Sequence, residues 1–457
     1  MPAAPTYAAI RYGYGLSPLV EVAGDAAGLL ARLSGPDLAV AAFPGQSDDE
    51  IQSVLLNYDR VAKARRADRE NRALSKELAK LVRAIKAGYL AGFRAALLRA
   101  AYSEDSLRER LVAFWADHFT VRAKSRRDRA LPQAYVDAAV RPHVTGRFGD
   151  MLVAVVTHPV MLGYLDQNQS VGPGSEFGMA RGRGLNENLA REVLELHTLG
   201  VDGDYRQADV RSFAELLTGL TFSTQDGFTF RPGLAEPGPE TVLGIVYGND
   251  RRPALADIAA ALQDLALHPD TARHLARKIA VHFVADVPDQ GLVDHLAATY
   301  RQSGGDLLAV YAALLDHPLA WEGFGAKAKQ PFDFLVSAVR ALGVPSGLIS
   351  GFDGNQMTAT FLGPLSLMAQ PWQEPPGPDG WPEETSAWVT PQGLAGRIQW
   401  AMSQPGVLIP MLPDPRRFVV SALGDTASDK LIWAATQAAT IPEGIGIVLA
   451  SPEFNRR

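Results

Sequence analysis

A chain of 457 residues is longer than one ordinary core, so two or three domains, or one large helical unit with a subdomain, are expected. Hydrophobic residues at 47%, charged residues at 21% and a net charge of −6 describe a globular protein without the basic footprint that nucleic acid requires as main partner. The absence of cysteine excludes disulfides, zinc–thiolate sites, iron–sulfur clusters and cysteine nucleophiles, and no apolar run of about 18 residues predicts a membrane span.

The start, Met1-Pro2-Ala3-Ala4-Pro5, has neither the basic nor the apolar region of a classical signal peptide, which makes the cytoplasm the default expectation. From about Asp48 to Ala101 the chain is rich in Ala, Leu, Lys, Arg and Glu and predicts long helices. A basic run at Lys63-Ala64-Arg65-Arg66 is interleaved with acids and reads as a solvated helix face. Ser106 is a predicted N-cap with Glu109 closing a capping box, and Leu107, Leu111, Phe114 and His118 share one face of the helix that follows. His-Pro recurs where an apolar helical run stops, at His158-Pro159, His268-Pro269 and His317-Pro318. These histidines read as helix corners, with proline opening the next helix and histidine meeting the carbonyls of the last one.

β structure is predicted to be minor. Leu220–Ser223 and Gly227–Phe230 flank Asp226-Gly227 as a hairpin, and Thr241 to Tyr247 adds strand character. Pro371 to Pro391 combines proline, glycine, tryptophan and carboxylates in a long ordered loop. The expected fold is therefore mostly α: a large multi-helical domain over 1–344, with a small antiparallel β-hairpin insertion near 220–248. Residues 345–457 form a helical and loop region packed back onto it.

Chemistry is concentrated between Asn186 and Gly200. With Asn186 as N-cap and Gly200 after the last turn, Leu189, Val193 and Leu196 make an apolar arc, with Ala190 beside them. Glu187, Arg191 and Glu195 form an i, i+4, i+8 ladder, with Asn188 and Glu192 alongside. In solvent this is an ion-pair ladder; buried, three acids around one arginine demand a raised carboxyl pKa or a nearby cation. His197 lies off that stripe, so a metal site on this helix alone is geometrically poor. A glycine-rich loop from Val171 to Gly184 precedes it. The loop carries Arg181 and Arg183, which suit an anionic group, and reads equally as a plain connector. Tyr164, Asp166 and Asn168 end the previous helix nearby.

Elsewhere, Trp115, Asp117 and His118 sit together, with His118 favoured as a core histidine. Trp372, Trp381 and Trp388 with Glu374, Asp379, Glu383 and Glu384 read either as a sugar-stacking platform or as tryptophans that pin the loop.

The run Asn186-Glu187-Asn188-x-Ala190-Arg191-Glu192-x-x-Glu195-Leu196-His197-Thr198-Leu199-Gly200, with Tyr205, Asp209-Val210 and Thr218-Gly219, resembles the hallmark of a bacterial family catalogued as domain of unknown function 1800. Further landmarks run almost end to end: Phe114-Trp115, His118-Phe119, His268-Pro269, Lys278, Lys329, Gly380-Trp381-Pro382, Trp388, Arg397 and Ser451-Pro452-Glu453-Phe454. The resemblance implies a largely α-helical protein without an assigned activity or cofactor. Its relatives often resemble exported proteins and neighbour a second, sulfatase-like family that would be a candidate partner. The chain departs from the pattern in three places. Ala235-Glu236-Pro237-Gly238 stands where similar proteins have His-Asp-Pro-Gly, Arg206 where they have threonine, and Leu220 where they have tryptophan.

The sequence thus supports a hydrolase-type reading on an envelope or extracellular glycan. Glu192 or Glu195 would be the general acid, Glu187 or Asp166 the second carboxylate, and Arg191 would tune both. Asn186, Asn188, Arg181, Arg183, Trp381 and Trp388 would bind a glycan or an anionic small ligand. The alternative is a non-catalytic binding or assembly protein with a buried polar clasp. A metal-binding protein using His118 or His197 ranks third.

Overall fold

The structure is a computed structural model that describes residues 4–250 and 252–457. Helices account for most of it, and their ends follow capping chemistry. The Ser47 hydroxyl accepts the Glu50 N–H while the Glu50 carboxylate takes that of Ser47, which opens α1 (Asp48–Ala67). Asn71 accepts two N–H groups at the start of α2 (Arg72–Tyr102), which folds back along α1. The N-cap of α3 (Ser106–His118) is Asp105, one residue before the expected serine; its carboxylate takes the Arg108 N–H. Glu109 closes no capping box. It is buried and forms a two-pronged ion pair with Arg141, at 2.9 Å on one side.

The His-Pro corners also differ from the expected use of histidine. His158 Nδ1 accepts the N–H of Val160, and His268 Nδ1 that of Asp270. Both imidazoles cap the helix that follows and leave the carbonyls of the one before alone. Burial pushes His158 down to about 4, which keeps the lone pair it needs as acceptor.

A short α-helical stretch, α4 (Asn188–Glu192), runs straight into a π-helical turn, Val193–Thr198. The Thr198 hydroxyl donates to the Val193 carbonyl five residues back at 2.7 Å, as a π turn permits. The chain then forms two separate two-stranded hairpins. β1 (Leu220–Ser223) pairs antiparallel with β2 (Gly227–Phe230), Leu220 opposite Phe230. β3 (Glu240–Val242) pairs with β4 (Ile245–Tyr247), Glu240 opposite Tyr247. The second turn needs positive φ at both Leu243 and Gly244. The leucine is held there because its N–H donates to Asp209 Oδ1 at 2.9 Å and its side chain rests on the core.

Two hydrophobic cores follow. One gathers α3, residues 136–165, α4 with its π turn, and helices between 255 and 316, including α5 (Pro269–Phe283). The other gathers the C-terminal half of α2, α6 (Pro331–Leu342) and the helices from 346 to 450. Buried charge lies between them: Arg110 on α3 pairs with Asp333 on α6 at 3.0 Å.

Candidate active site

α3, α5, the π turn and the loop 371–384 enclose a cleft of about 770 Å³, with Asp117, Glu195, His274, Lys278, Asp379 and Glu383 on its walls. A smaller cavity of about 150 Å³ touches the same Asp117, Trp381 and Glu383. Gly380 explains how the loop comes so close. Its φ is +83°, and a Cβ there would lie 2.7 Å from both the carbonyl and Oδ1 of Asp117. The next residue, Trp381, donates its N–H to Asp117 Oδ1 at 2.9 Å, and the Pro382 carbonyl accepts the indole N–H of Trp388 at 2.8 Å. The Gly-Trp-Pro segment is a clamp on the end of α3. Trp388 is its buried pin and Trp381 is half-buried at the cleft, their rings 6.0 Å apart.

Charge in this cleft is strongly differentiated. Burial pushes the Asp117 carboxyl up to about 7, helped by Glu383 and Asp379 and opposed by the Trp381 N–H and Lys278. Burial also lowers the Lys278 ammonium, against the pull of Asp117, Glu383 and Asp379. Glu383 goes the other way, down to about 2, because His282, Lys327 and Lys278 outweigh its burial. The protons here follow from donor inventory. Arg110 has only donors and faces His282 Nε2 at 3.1 Å, so His282 carries its hydrogen on Nδ1 and gives it to Glu383 Oε1 at 2.6 Å. Glu383 thus ends a buried relay from Asp333 through Arg110 and His282, with Lys327 bridging on to Asp286 at 2.7 Å.

Three imidazoles form the wall behind Lys278. His118 Nε2 lies 3.1 Å from the His197 carbonyl and His274 Nε2 3.1 Å from that of Leu196. His118 and His274 thus meet carbonyls of the π turn, and burial lowers all three rings, His197 to about 3 and His274 to about 4. Nδ1 of His118 and of His197 has no partner, yet among the described residues no three His, Asp or Glu side chains are arranged to hold a metal ion.

The residues singled out in the sequence divide between several settings. Glu187 and Glu195 flank Arg191 at 3.3 and 3.1 Å, and Gln207 bridges Arg191 and Glu187 at 3.0 and 2.9 Å. Arg191 is 39% exposed, so this part is a solvent-side ladder, although Glu195 also borders the cleft. Glu192 is different: burial, then Glu195 and Asp379, push it up to about 7 against the pull of Arg191. Asn186 supplies the side-chain cap at this helix start, and it is also tied backward. Its Nδ2 donates to the carbonyls of Leu165 and Asp166, both at 3.2 Å, and its Oδ1 accepts the Asn188 N–H at 2.9 Å. Asn188 is exposed. Asp166 stands at φ +58° and pairs with Lys124 at 2.7 Å, on the border of a second cleft. Arg181 and Arg183 are exposed on the glycine-rich loop. That loop is anchored: Gly174 donates to Glu236 Oε2 and Gly172 to the Leu234 carbonyl, both at 2.8 Å. A Cβ at Gly172 would lie 2.4 Å from the Glu236 nitrogen.

Lys278 and His274 received no chemical role in the sequence reading. Their only signal was the place of Lys278 among the family landmarks, because α5 reads locally as an ordinary amphipathic helix.

Fold and cleft together define a mostly helical protein with an acid-rich cleft between its elements. The chain belongs to the family described as Protein of unknown function (DUF1800), whose profile matches residues 8–456. No curated protein and no solved structure matches the chain. Among the described residues no helix is long and apolar enough to cross a membrane.

Proposed function

We propose that this protein is an acid–base hydrolase of hydroxyl-rich substrates, a glycan being the class that suits the cleft best. The observation that carries the reading is the convergence of Asp117, Lys278 and Glu383 from three distant parts of the chain on one cleft wall. There Asp117 holds its proton to about 7 while Glu383 stays ionised. Asp117 Oδ1 is engaged by Trp381, and Oδ2 has no protein partner among the described residues. In the proposed reaction Oδ2–H gives its proton to the leaving oxygen as the scissile bond breaks. Asp379, the exposed carboxylate felt by both Asp117 and Glu192, takes a proton from the attacking water. Glu192, also protonated near neutrality, donates a hydrogen bond to a substrate hydroxyl, and Trp381 offers a ring face for a sugar.

The clasp alternative fits Glu187, Arg191 and Gln207, whose polar atoms satisfy one another, but leaves Glu192 and Asp117 unexplained.

The test is turnover of a panel of aryl glycosides and oligosaccharides. Asp117→Asn should lower kcat by about a hundredfold or more with little change in KM. In the wild type, activity should fall as pH rises through about 7, because the acid must be protonated. No turnover across the panel, or full activity in both Asp117→Asn and Glu192→Gln, would overturn the proposal.

A further inference from the structure

A second cleft, of about 460 Å³, lies between α1, the loop that follows α3, residues 158–169 and the first hairpin. The loop reads Val121-Arg122-Ala123-Lys124-Ser125-Arg126-Arg127-Asp128-Arg129: five cations against one acid, in a chain whose net charge is −6. Only part of this charge is neutralised internally. Lys124 pairs with Asp166 at 2.7 Å, and Arg127 with Asp59 at 2.6 Å and Asp128 at 2.9 Å. Arg122, Arg126 and Arg129 are exposed and have no acidic partner within ion-pair distance among the described residues; of the three, Arg122 lines the cleft, while Arg126 and Arg129 stand on the same loop outside its lining. Arg122 reaches only the Pro375 carbonyl, at 3.4 Å.

The two clefts adjoin. Pro375, which holds Arg122, precedes Pro376 on the wall of the first cleft. Tyr164 lines the second cleft beside Arg122 and also feels Asp379 on the wall of the first, together with Glu192. Tyr164 and Phe222 offer ring surface along the floor, and Gln52, Asn168, Gln169 and Thr224 offer amide and hydroxyl groups.

We propose that the two clefts form one groove that binds an acidic oligosaccharide, with its carboxylate-bearing sugars over the Arg122–Arg129 loop and its scissile linkage over Asp117. This rests on the hydrolase reading and adds the substrate class. Arginine forks match carboxylates, aromatic faces match sugar rings, and amides match hydroxyls. Asp48, Asp128 and Asp166 line the same cleft, which suits a polymer with sparse charge and many hydroxyls and repels a continuous phosphodiester backbone.

The experiment is calorimetric titration of the full chain with hexagalacturonate, with cellohexaose as its neutral counterpart and with a short oligothymidylate. Hexagalacturonate should bind about tenfold or more tightly than cellohexaose at low salt, and the Arg122→Ala/Arg126→Ala variant should lose that margin while keeping the wild-type melting temperature. Asp117→Asn should bind as the wild type does. Equal binding of the two hexamers, no binding of either, tighter binding of oligothymidylate, or a margin untouched by the arginine substitutions would overturn the proposal. Binding without turnover would sink the hydrolase reading and leave the groove; turnover of neutral glycans alone would do the reverse.

Discussion

The ladder of Glu187, Arg191 and Glu195 and the cluster of Asp117, Lys278 and Glu383 carry the same kinds of charge in opposite circumstances. The ladder lies within nine residues of sequence, is about a third exposed, and each group sits beside its counter-ion. The cluster is assembled from residues far apart in the chain, is largely desolvated, and its groups are driven away from their ordinary ionisation. The comparison shows that density of charged residues in a sequence is a poor guide to reactive chemistry. What separates the two is water, which screens the first and is excluded from the second. Glu192 stands at the boundary: it belongs to the ladder's helix but shares the cluster's desolvation.

Three substitutions sharpen that contrast. The largest effect is expected at Glu383. Glu383→Ala leaves Lys327, which is 1% exposed, with Asp286 as its one acidic partner beside the backbone carbonyl of residue 383, and strips the acceptor from His282. Breaking such a buried network should cost about 3 kcal/mol or more, read from urea denaturation, and a loss below about 1 kcal/mol would show the relay to be idle.

Next comes Asp117→Asn, with the opposite sign. The native carboxyl titrates near 7 against an ordinary value of 3.8, so its favourable contribution is present below that value and is lost as pH rises to about 7. The amide removes this liability. The variant should gain stability progressively between pH 4 and 7 and hold a gain of roughly 2 kcal/mol at pH 8, partial exposure of the site allowed for. A gain independent of pH would refute the raised pKa. Stabilisation of a variant that loses activity is the expected signature of a functional site.

The smallest effect belongs to Arg191→Ala, about 0.5 kcal/mol at low salt and close to nothing at high salt. A cost of several kcal/mol would mean that the ladder is a true internal clasp.

Much of the fold was legible because its signals are local. Helix-forming runs, the His-Pro corners, Asp226-Gly227 and the proline-rich loop each announce themselves within a few residues. Where local reading slipped, a neighbour with better geometry had taken the role. Asp105 caps α3, which frees Glu109 for Arg141, and two of the corner histidines, His158 and His268, serve the next helix through Nδ1. The site was legible only in pieces. Asp117, Lys278 and Glu383 lie on three elements more than a hundred residues apart, and no spacing rule joins them. Gly380 before Trp381 was visible as a motif, but its meaning, a close approach to the end of α3, is a tertiary fact. The basic loop after α3 was visible in composition alone and was obscured by the acidic total.

The π turn at Val193–Thr198 holds one residue more than a regular helix would use for the same rise. That residue sets the phase of everything after it. Removing one position between 193 and 198 would leave the chain near Glu192 in place but rotate the following side chains by about 100°. The carbonyls of Leu196 and His197 would then turn away from the imidazoles of α5 and α3 that now meet them. A family member shorter by one residue at this point would therefore need a different wall behind Lys278, and its length there reports whether it shares this cleft.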